Sequence, residues 1–257
     1  MNNIFSIVLP VRIDCEERLE NLKAVLNWIN NIGCSVVLLE ADKKSQLHDL
    51  QAEYKQMKYI FIEDSSSVFH RTKYINYLLN YVNTKIVAIW DSDIIIPLAQ
   101  VEHTIKMMLD KDIILAYPYS GTFYMLPEDL SKMFRQDLNI NNILCKTLPP
   151  LMGRRSCGGV YFVNRIEYIS IGGENEKYKG WGPEDAERLR RTLIIGKKAE
   201  WLNYGKAFHL FHRRNQFQEN ENNPELIKMR KEFVKECSMN KLEMQIYINS
   251  ELLTSNS

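Results

Sequence analysis

Four short hydrophobic runs in the first hundred residues alternate with stretches of helical spacing. The runs are continuously apolar and rich in β-branched residues, which is typical of strands buried on both faces; they are FSIVLPV (5–11), CSVVLLEAD (34–42), YIFIED (59–64) and KIVAIWDSDIIIP (85–97). Between the runs, apolar residues recur every three or four positions, as on the inner face of a helix: Leu19, Leu22, Leu26 and Ile29, then Ile75, Leu78, Leu79 and Val82. This alternation predicts an α/β fold with a Rossmann-like, mixed but mostly parallel sheet flanked by helices.

The pattern is less regular after residue 111. A glycine-led strand, CGGVYFVNR, precedes a helix that runs through Arg188, and AEWLNY and KAFHLFH predict two short late strands. From Gln216 the composition becomes polar, and Pro224 opens a final amphipathic helix. We predict one main domain over residues 1–215 and a helical C-terminal extension over residues 216–257, packed on it or next to it.

Composition narrows the class of protein. The 257 residues are 45% hydrophobic and carry a net charge of +1, whereas a nucleic-acid-binding protein would show a basic excess. The five cysteines are scattered, which suits a reducing compartment, and no apolar run reaches the roughly 18 residues of a membrane span. The beginning MNNIFSIVLPVR does not resemble a signal peptide. We expect a cytoplasmic protein without a nucleic-acid partner, and peripheral contact with the inner face of the membrane stays open.

Two acids lie within the fourth hydrophobic run. Parallel α/β sheets bind ligands at the carboxyl ends of their strands, and Asp91-Ser92-Asp93 comes directly after KIVAIW. Two carboxylates at this spacing can hold a divalent cation together with a diphosphate. The alternative is a pair of solvated acids at a strand end.

Two histidines lie late in the chain, in the segment HLFH. In a regular strand, His209 and His212 would face opposite sides, so both can bind one ion only if the chain bends between them. One buried and one exposed histidine is the alternative. Imidazole beside carboxylates favours manganese over magnesium.

The segment KYKGWGPEDAER (177–188) places a tryptophan between glycines, before two acids. Glu184 and Asp185 can be ordinary charges at a helix start. In the functional interpretation, they are a general base and its neighbour, and Trp181 belongs to a loop that closes over the substrate, with glycine hinges that include Gly182. Arginines near strand ends, Arg12 and Arg71, suit bidentate contacts to phosphate or are surface charges.

Taken together, four segments resemble nucleotide-sugar glycosyltransferases of the GT-A fold. The similarity is greatest to the β-1,4-galactosyltransferase-like group and extends to family-2-type bacterial enzymes. The segments occur in the family's order, within residues 4 to 215: LPVRIDCEERLENL, FHRTKYIN, WDSDIIIP and CGGVYFVNRIEYISIGGENEKYKGWGPEDAERLRR. The last of them aligns without gaps from Gly158 to Asp185, which makes it more specific than any single motif.

The resemblance implies roles for particular residues. Residues at the uridine and diphosphate would be Pro10, Val11, Arg12, Phe69, Arg71 and Asp91, with Gly159, Trp181 and Gly182 beside the donor. Asp93 and His212 would bind Mn²⁺ or Mg²⁺, with His209 as a third ligand. Asp185 would be the catalytic base and Glu184 the acceptor-binding acid. Pro183 replaces a family glycine.

The resemblance also implies a function. We expect a metal-dependent, inverting transferase that moves galactose or N-acetylgalactosamine from a UDP-sugar to a hydroxyl of a glycan or lipid-linked saccharide. Ser156 is small at a position where the family can carry a bulky residue, which leaves room for an N-acetyl group. The alternatives are an inactive nucleotide-sugar- or carbohydrate-binding protein of the same fold, and a nucleotidyltransferase. A nucleotidyltransferase is disfavoured because LPVRIDCEERLENL lacks a phosphate-binding glycine.

Overall fold

The computed structural model describes residues 4–151, 155–213 and 223–253. The predicted domain boundary at 215/216 lies outside the described residues. The strands of the described part are β1 (Phe5–Val11), β2 (Ser35–Asp42), β3 (Met57–Glu63), β4 (Ile86–Trp90), β5 (Ile94–Ile95), β6 (Leu115–Tyr117), β7 (Thr122–Met125), β8 (Val160–Asn164), β9 (Ala199–Trp201) and β10 (Lys206–His209).

Helices fill most of the segments between these strands. They are α1 (Glu16–Asn30), α2 (Leu50–Glu53), α3 (Arg71–Tyr81), α4 (Leu98–Lys111), α5 (Glu128–Asp137), α6 (Asn141–Leu144), α7 (Arg165–Ser170), α8 (Glu184–Ile194), α9 (Pro224–Cys237) and α10 (Lys241–Tyr247). A π-helical turn, Ile248–Leu252, follows α10.

The main sheet has seven strands in the order β3-β2-β1-β4-β8-β6-β9. The pairs of β1 with β2 and β4, of β2 with β3 and of β6 with β9 are parallel, whereas β8 runs antiparallel to both of its neighbours. All seven residues of β1 are buried, as expected for a strand covered by helices on both faces. The predicted mixed, mostly parallel sheet is confirmed.

One predicted strand is divided. KIVAIWDSDIIIP does not run on as a single strand: β4 ends at Trp90, and Ile94–Ile95 forms β5 in a second sheet with the order β5-β10-β7. The residues between them, 91–93, form the turn that leads from one sheet to the other. Because β10 pairs with β5 so that His209 lies opposite Ile94, the second sheet brings the late histidine segment next to this turn.

The C-terminal helices pack onto the rest of the chain. Leu226 and Met229 of α9 form a small buried cluster with Tyr178, and Met244 and Tyr247 of α10 join the main core. The final helix predicted from Pro224 is thus two helices, α9 and α10, separated by the turn at residues 238–240. In the described residues, no helix combines the length and the apolar character that crossing a bilayer requires.

The start of β8 depends on a glycine. Gly159 has φ +79°, and a Cβ there would lie 2.8 Å from a ring atom of Phe123 and 3.1 Å from Ile94. Its carbonyl accepts the N–H of Asp91 at 2.9 Å, so its conformation also sets the turn after β4.

We predict that Gly159→Ala lowers the free energy of unfolding by more than Gly33→Ala does, measured by chemical denaturation. Gly33 has a similar φ, +68°, but a Cβ there meets no atom within 4 Å. The control should therefore show only the backbone cost of about 1 kcal/mol. Gly159→Ala should add about 1–3 kcal/mol for the overpacked contact. Equal effects would contradict this account.

Candidate active site

Three possible metal ligands converge where the two sheets meet. Asp93 lies in the turn after β4, His209 ends β10, and His212 follows three residues later. One ligand atom from each of the three lies within 4.8 Å of the others. Asp93 Oδ1 is 3.6 Å from His209 Nε2, and Asp93 Oδ2 is 3.3 Å from His212 Nε2. The strand stops at His209, so the chain bends and both histidines reach the same carboxylate.

These residues have the chemistry of a divalent-cation site. Burial raises the pKa of Asp93, but His209, His212 and Arg18 together outweigh it and hold the pKa below its ordinary value. Nδ1 of His212 lies 2.9 Å from the carbonyl of Arg213, a contact that fixes the ring and directs Nε2 toward Asp93. One carboxylate and two imidazoles suit manganese better than magnesium.

Asp91 and Asp93 have different surroundings, although only one residue separates them. Asp91 Oδ1 accepts a hydrogen bond from Nε of Arg71, the first residue of α3, at 3.0 Å. Burial raises the pKa of Asp91 to about 6, with Arg71 opposing the shift and Asp93 adding to it. Asp91 therefore links the turn after β4 to α3, and Asp93 faces the histidines.

The predicted uridine side of the site is built on the end of β1. Pro10 and Val11 are buried within that strand. The Arg12 guanidinium lies 5.5 Å from the ring centre of the half-buried Phe69 and donates to Asp64 at 2.6 Å. Asp64 also accepts from the hydroxyl of Tyr74 at 2.6 Å. Sequence reasoning missed Asp64, which holds Arg12 against Phe69.

Asp185 lies at the N-terminal end of α8, against the start of β8. Its side chain is 35% exposed, and Oδ1 accepts a hydrogen bond from Arg188 at 3.0 Å. A Cβ on Gly158 would be 2.1 Å from Asp185 Oδ2, so only glycine leaves room for this carboxylate. Because Gly159 is hydrogen-bonded to Asp91, the short segment 158–159 joins Asp185 to the turn that carries Asp93.

A buried ion pair orients Asp185. Arg188 is fully buried, donates to both oxygens of Glu174 at 2.8 and 3.1 Å, and lies 3.7 Å over the ring of Tyr161. Burial raises the pKa of Glu174, but Arg188 outweighs it and lowers the pKa to about 2. The hydroxyls of Tyr161 and Tyr168 complete the set of donors to this carboxylate. Sequence analysis placed Arg188 on a helix but missed this role and Glu174.

Glu184 has an environment unlike that of its neighbour. Its Oε2 is shielded from solvent and has no hydrogen-bond partner among the described residues. Burial and the adjacent Asp185 raise the pKa of Glu184 to about 8. A carboxyl group that stays protonated near neutral pH can donate a hydrogen bond to a substrate oxygen.

Trp181 is 53% exposed at the tip of a loop whose base is fixed. Gly180 donates to the carbonyl of Phe69, and Tyr178 accepts from Thr72 in α3. On the other side, Gly182 packs on Met229 of α9, where a Cβ would lie 3.1 Å from the methionine methyl. The exposed indole therefore lies between a fixed start and a fixed end of its loop.

Arg18, in the first turn of α1, was also missed by sequence reasoning. Its side chain donates to Asp93 at 3.1 Å and to Asp14 at 2.9 Å. The Asp14–Arg18 spacing of four residues was visible in the sequence, whereas the contact with Asp93, 75 positions away, was not.

We predict that Arg188→Met lowers the free energy of unfolding by about 3–5 kcal/mol in denaturant titrations, because it leaves Glu174 buried without its cation. The double variant Arg188→Met/Glu174→Gln should lose less than the two single variants combined. Arg190→Met, at an exposed position of the same helix, is the control and should change little. A loss below about 1 kcal/mol for Arg188→Met would contradict the assignment.

We predict a pH-dependent stability difference for Glu184→Gln. The pKa of Glu184 is raised to about 8 in the folded chain from an ordinary 4.5, so the folded state binds this proton more tightly than the unfolded state. The contribution is fully present below about pH 4.5 and is lost as pH rises to about 8. The wild-type Tm should therefore fall relative to that of Glu184→Gln over this window.

The control for this experiment is Glu225→Gln, an exposed acid in the first turn of α9. Its Tm curve should run parallel to that of the wild type. A wild-type curve that ran parallel to that of Glu184→Gln would show that Glu184 is not held protonated.

Comparison with known proteins finds a family match over part of the chain. A family model described as the N-terminal domain of galactosyltransferase matches residues 141–213, which include Asp185 and both histidines. A search of curated proteins finds no significant match.

Solved structures of glucosyl-3-phosphoglycerate synthase from Mycobacterium tuberculosis have a similar fold. The complex with Mn²⁺, UDP and phosphoglyceric acid matches with a TM-score of 0.57 and 14% identity, over 92% of this chain and 79% of that chain. The complex with Mn²⁺, UDP-glucose and phosphoglyceric acid matches with a TM-score of 0.58 and 13% identity, over 92% and 80%. At this identity the similarity establishes the fold. The chain therefore has the GT-A fold of nucleotide-sugar glycosyltransferases, and the resemblance found in its sequence is confirmed.

Proposed function

We propose that this protein is a metal-dependent, inverting glycosyltransferase that moves a hexose from a UDP-sugar to an acceptor hydroxyl. The observation that carries the proposal is the arrangement of Asp93, His209 and His212 beside Asp185, joined through residues 158–159. A cation site next to an oriented carboxylate matches the two requirements of the reaction, a stabilised leaving diphosphate and a base. The Mn²⁺ and UDP complexes of the similarly folded synthase support the same reading.

On the donor side, Asp93, His209 and His212 would hold the cation. When bound, Mn²⁺ (or Mg²⁺) neutralises charge on the diphosphate. Arg71 presents a guanidinium at the N-terminal end of α3, beside Asp91, where both the side chain and the helix favour phosphate oxygens. Phe69 and Arg12 offer a flat surface to the uracil ring.

On the acceptor side, Asp185 takes the proton of the attacking hydroxyl. The oxygen then bonds to the anomeric carbon as the bond from that carbon to UDP breaks on the opposite face, so the configuration inverts. Arg188 keeps the Asp185 carboxylate in place, and the protonated Glu184 donates a hydrogen bond to the acceptor. Trp181 closes over the donor and excludes water, which would otherwise hydrolyse it.

We propose galactose or N-acetylgalactosamine as the transferred sugar, and a glycan or lipid-linked saccharide as the acceptor. The family match over residues 141–213 supports this choice of sugar, and the small, buried Ser156 is compatible with an N-acetyl group. UDP-glucose belongs in the test because the similarly folded synthase is crystallised with it. The alternative, a binding protein without turnover, is decided by the same experiment.

The test is a panel of UDP-sugars assayed for Mn²⁺-dependent release of UDP, with and without saccharide acceptors. We expect release from at least one UDP-hexose and its loss in Asp93→Asn. Binding of UDP-sugars without release from any of them would establish the binding-protein alternative.

We predict that Asp185→Asn reduces transfer by at least about a hundredfold, the usual contribution of a general base. The variant should still bind UDP with Mn²⁺, since Asp185 lies on the acceptor side. Asp129→Asn, which changes an acid in the first turn of α5, is the matched control and should retain full activity. Undiminished turnover in Asp185→Asn would remove this residue as the base.

A further inference from the structure

The Arg18 side chain reaches the candidate metal site from the first turn of α1. Its Nη1 donates to Asp93 Oδ2 at 3.1 Å, its Nε donates to Asp14 Oδ1 at 2.9 Å, and its Nη2 lies 3.4 Å from Nδ1 of His212. Only 17% of the side chain is exposed. Neither the family resemblance nor the proposed mechanism gives this arginine a role.

The guanidinium and a divalent cation compete for the same carboxylate. A cation held by Asp93, His209 and His212 shares a site whose ligand atoms lie within 4.8 Å of one another. Arg18 already places a positive charge on one of the two oxygens of Asp93. In this partly buried site the repulsion between the two positive charges is screened less than at the surface.

The two contacts of His212 Nδ1 lead to the same conclusion. Its Nδ1 faces both the Arg213 carbonyl, which can only accept a hydrogen bond, and Arg18, which can only donate one. Metal binding through Nε2 requires the proton on Nδ1, hence the bond to the carbonyl. Accepting from Arg18 requires the proton on Nε2, the atom that faces Asp93. The Arg18 contact and metal binding therefore need different tautomers.

We propose that Arg18 couples cation binding to diphosphate binding. Without nucleotide, Arg18 occupies Asp93 and opposes the cation. When UDP binds, the Arg18 guanidinium moves from Asp93 to the diphosphate, with which it can form two parallel hydrogen bonds. Asp93 is then free to bind the metal. Because linkage is reciprocal, the cation also strengthens UDP binding. This inference rests on the proposed function of the same site.

The experiment measures the Kd of Mn²⁺ by electron paramagnetic resonance of the free ion, with and without saturating UDP, in the wild type and in Arg18→Met. Methionine keeps an apolar stem and removes the charge. We expect Arg18→Met to bind Mn²⁺ alone at least about fivefold more tightly than the wild type. UDP should raise the Mn²⁺ affinity of Arg18→Met by a factor at least about fivefold smaller than in the wild type. In the presence of Mn²⁺, Arg18→Met should also bind UDP more weakly than the wild type does.

The matched control is Arg213→Met, which removes the same charge from the residue after His212. The Arg213 side chain is exposed and paired with Glu17, and its backbone carbonyl is kept in the variant. The Mn²⁺ affinities of Arg213→Met, with and without UDP, should stay near those of the wild type. If Arg18→Met fails to fold, Arg18→Gln gives the same comparison with a polar side chain.

The outcomes separate this inference from the proposed function. A wild type that binds neither Mn²⁺ nor UDP overturns both. A wild type that binds them, with unchanged coupling in Arg18→Met, overturns only the role of Arg18. Weaker binding of Mn²⁺ alone in Arg18→Met also overturns it, because a merely structural arginine would weaken the site, whereas a competing one must strengthen it.

Discussion

The buried ion pair between Arg188 and Glu174 is the interaction on which the position of Asp185 depends. A fully buried guanidinium is tolerated only when its charge and its donors are satisfied, and Glu174 meets most of that requirement. Nη2, one of the two atoms that donate to Glu174, also donates to Asp185 at the start of the same helix, and Nη1 donates to the carbonyl of Cys157. The ion pair that anchors α8 to Glu174 therefore also fixes the direction of the proposed base.

The direction of β8 explains why residues from distant segments meet. Parallel strands bring their carboxyl ends to one edge of a sheet, which places Arg12 and Asp91 there. β8 runs the opposite way, so its beginning, not its end, reaches that edge. The glycines at its beginning give the close approach that Asp185 and Asp91 need, since side chains at 158 and 159 would collide with Asp185 and Phe123. A sheet with β8 reversed would carry the same residues on opposite edges.

Hydrophobic pattern was sufficient to predict the sheet but not the polar contacts of the site. Runs such as FSIVLPV identify buried strands because burial on both faces leaves a continuous apolar signal. The division of KIVAIWDSDIIIP was not visible, since Ile94 and Ile95 are as apolar as β4. Partners such as Asp93 for Arg18 and Asp64 for Arg12 lie 75 and 52 positions away, and no local periodicity records a contact at that separation. His209 and His212 could be paired only by assuming the bend that the end of β10 provides.

The C-terminal helices take part in shaping the Trp181 loop. The Tyr178 hydroxyl donates to Glu236 of α9 at 2.6 Å, and the N–H of Lys179 lies 3.2 Å from the sulfur of Met229. These contacts hold the residues just before Gly180, and Gly182 packs on the same methionine. In the proposed mechanism this loop closes over the donor, and a fixed base would keep that movement local. α9 supplies one side of that base and α3 the other, so the proposed closure would involve the exposed indole and not the residues on either side of it.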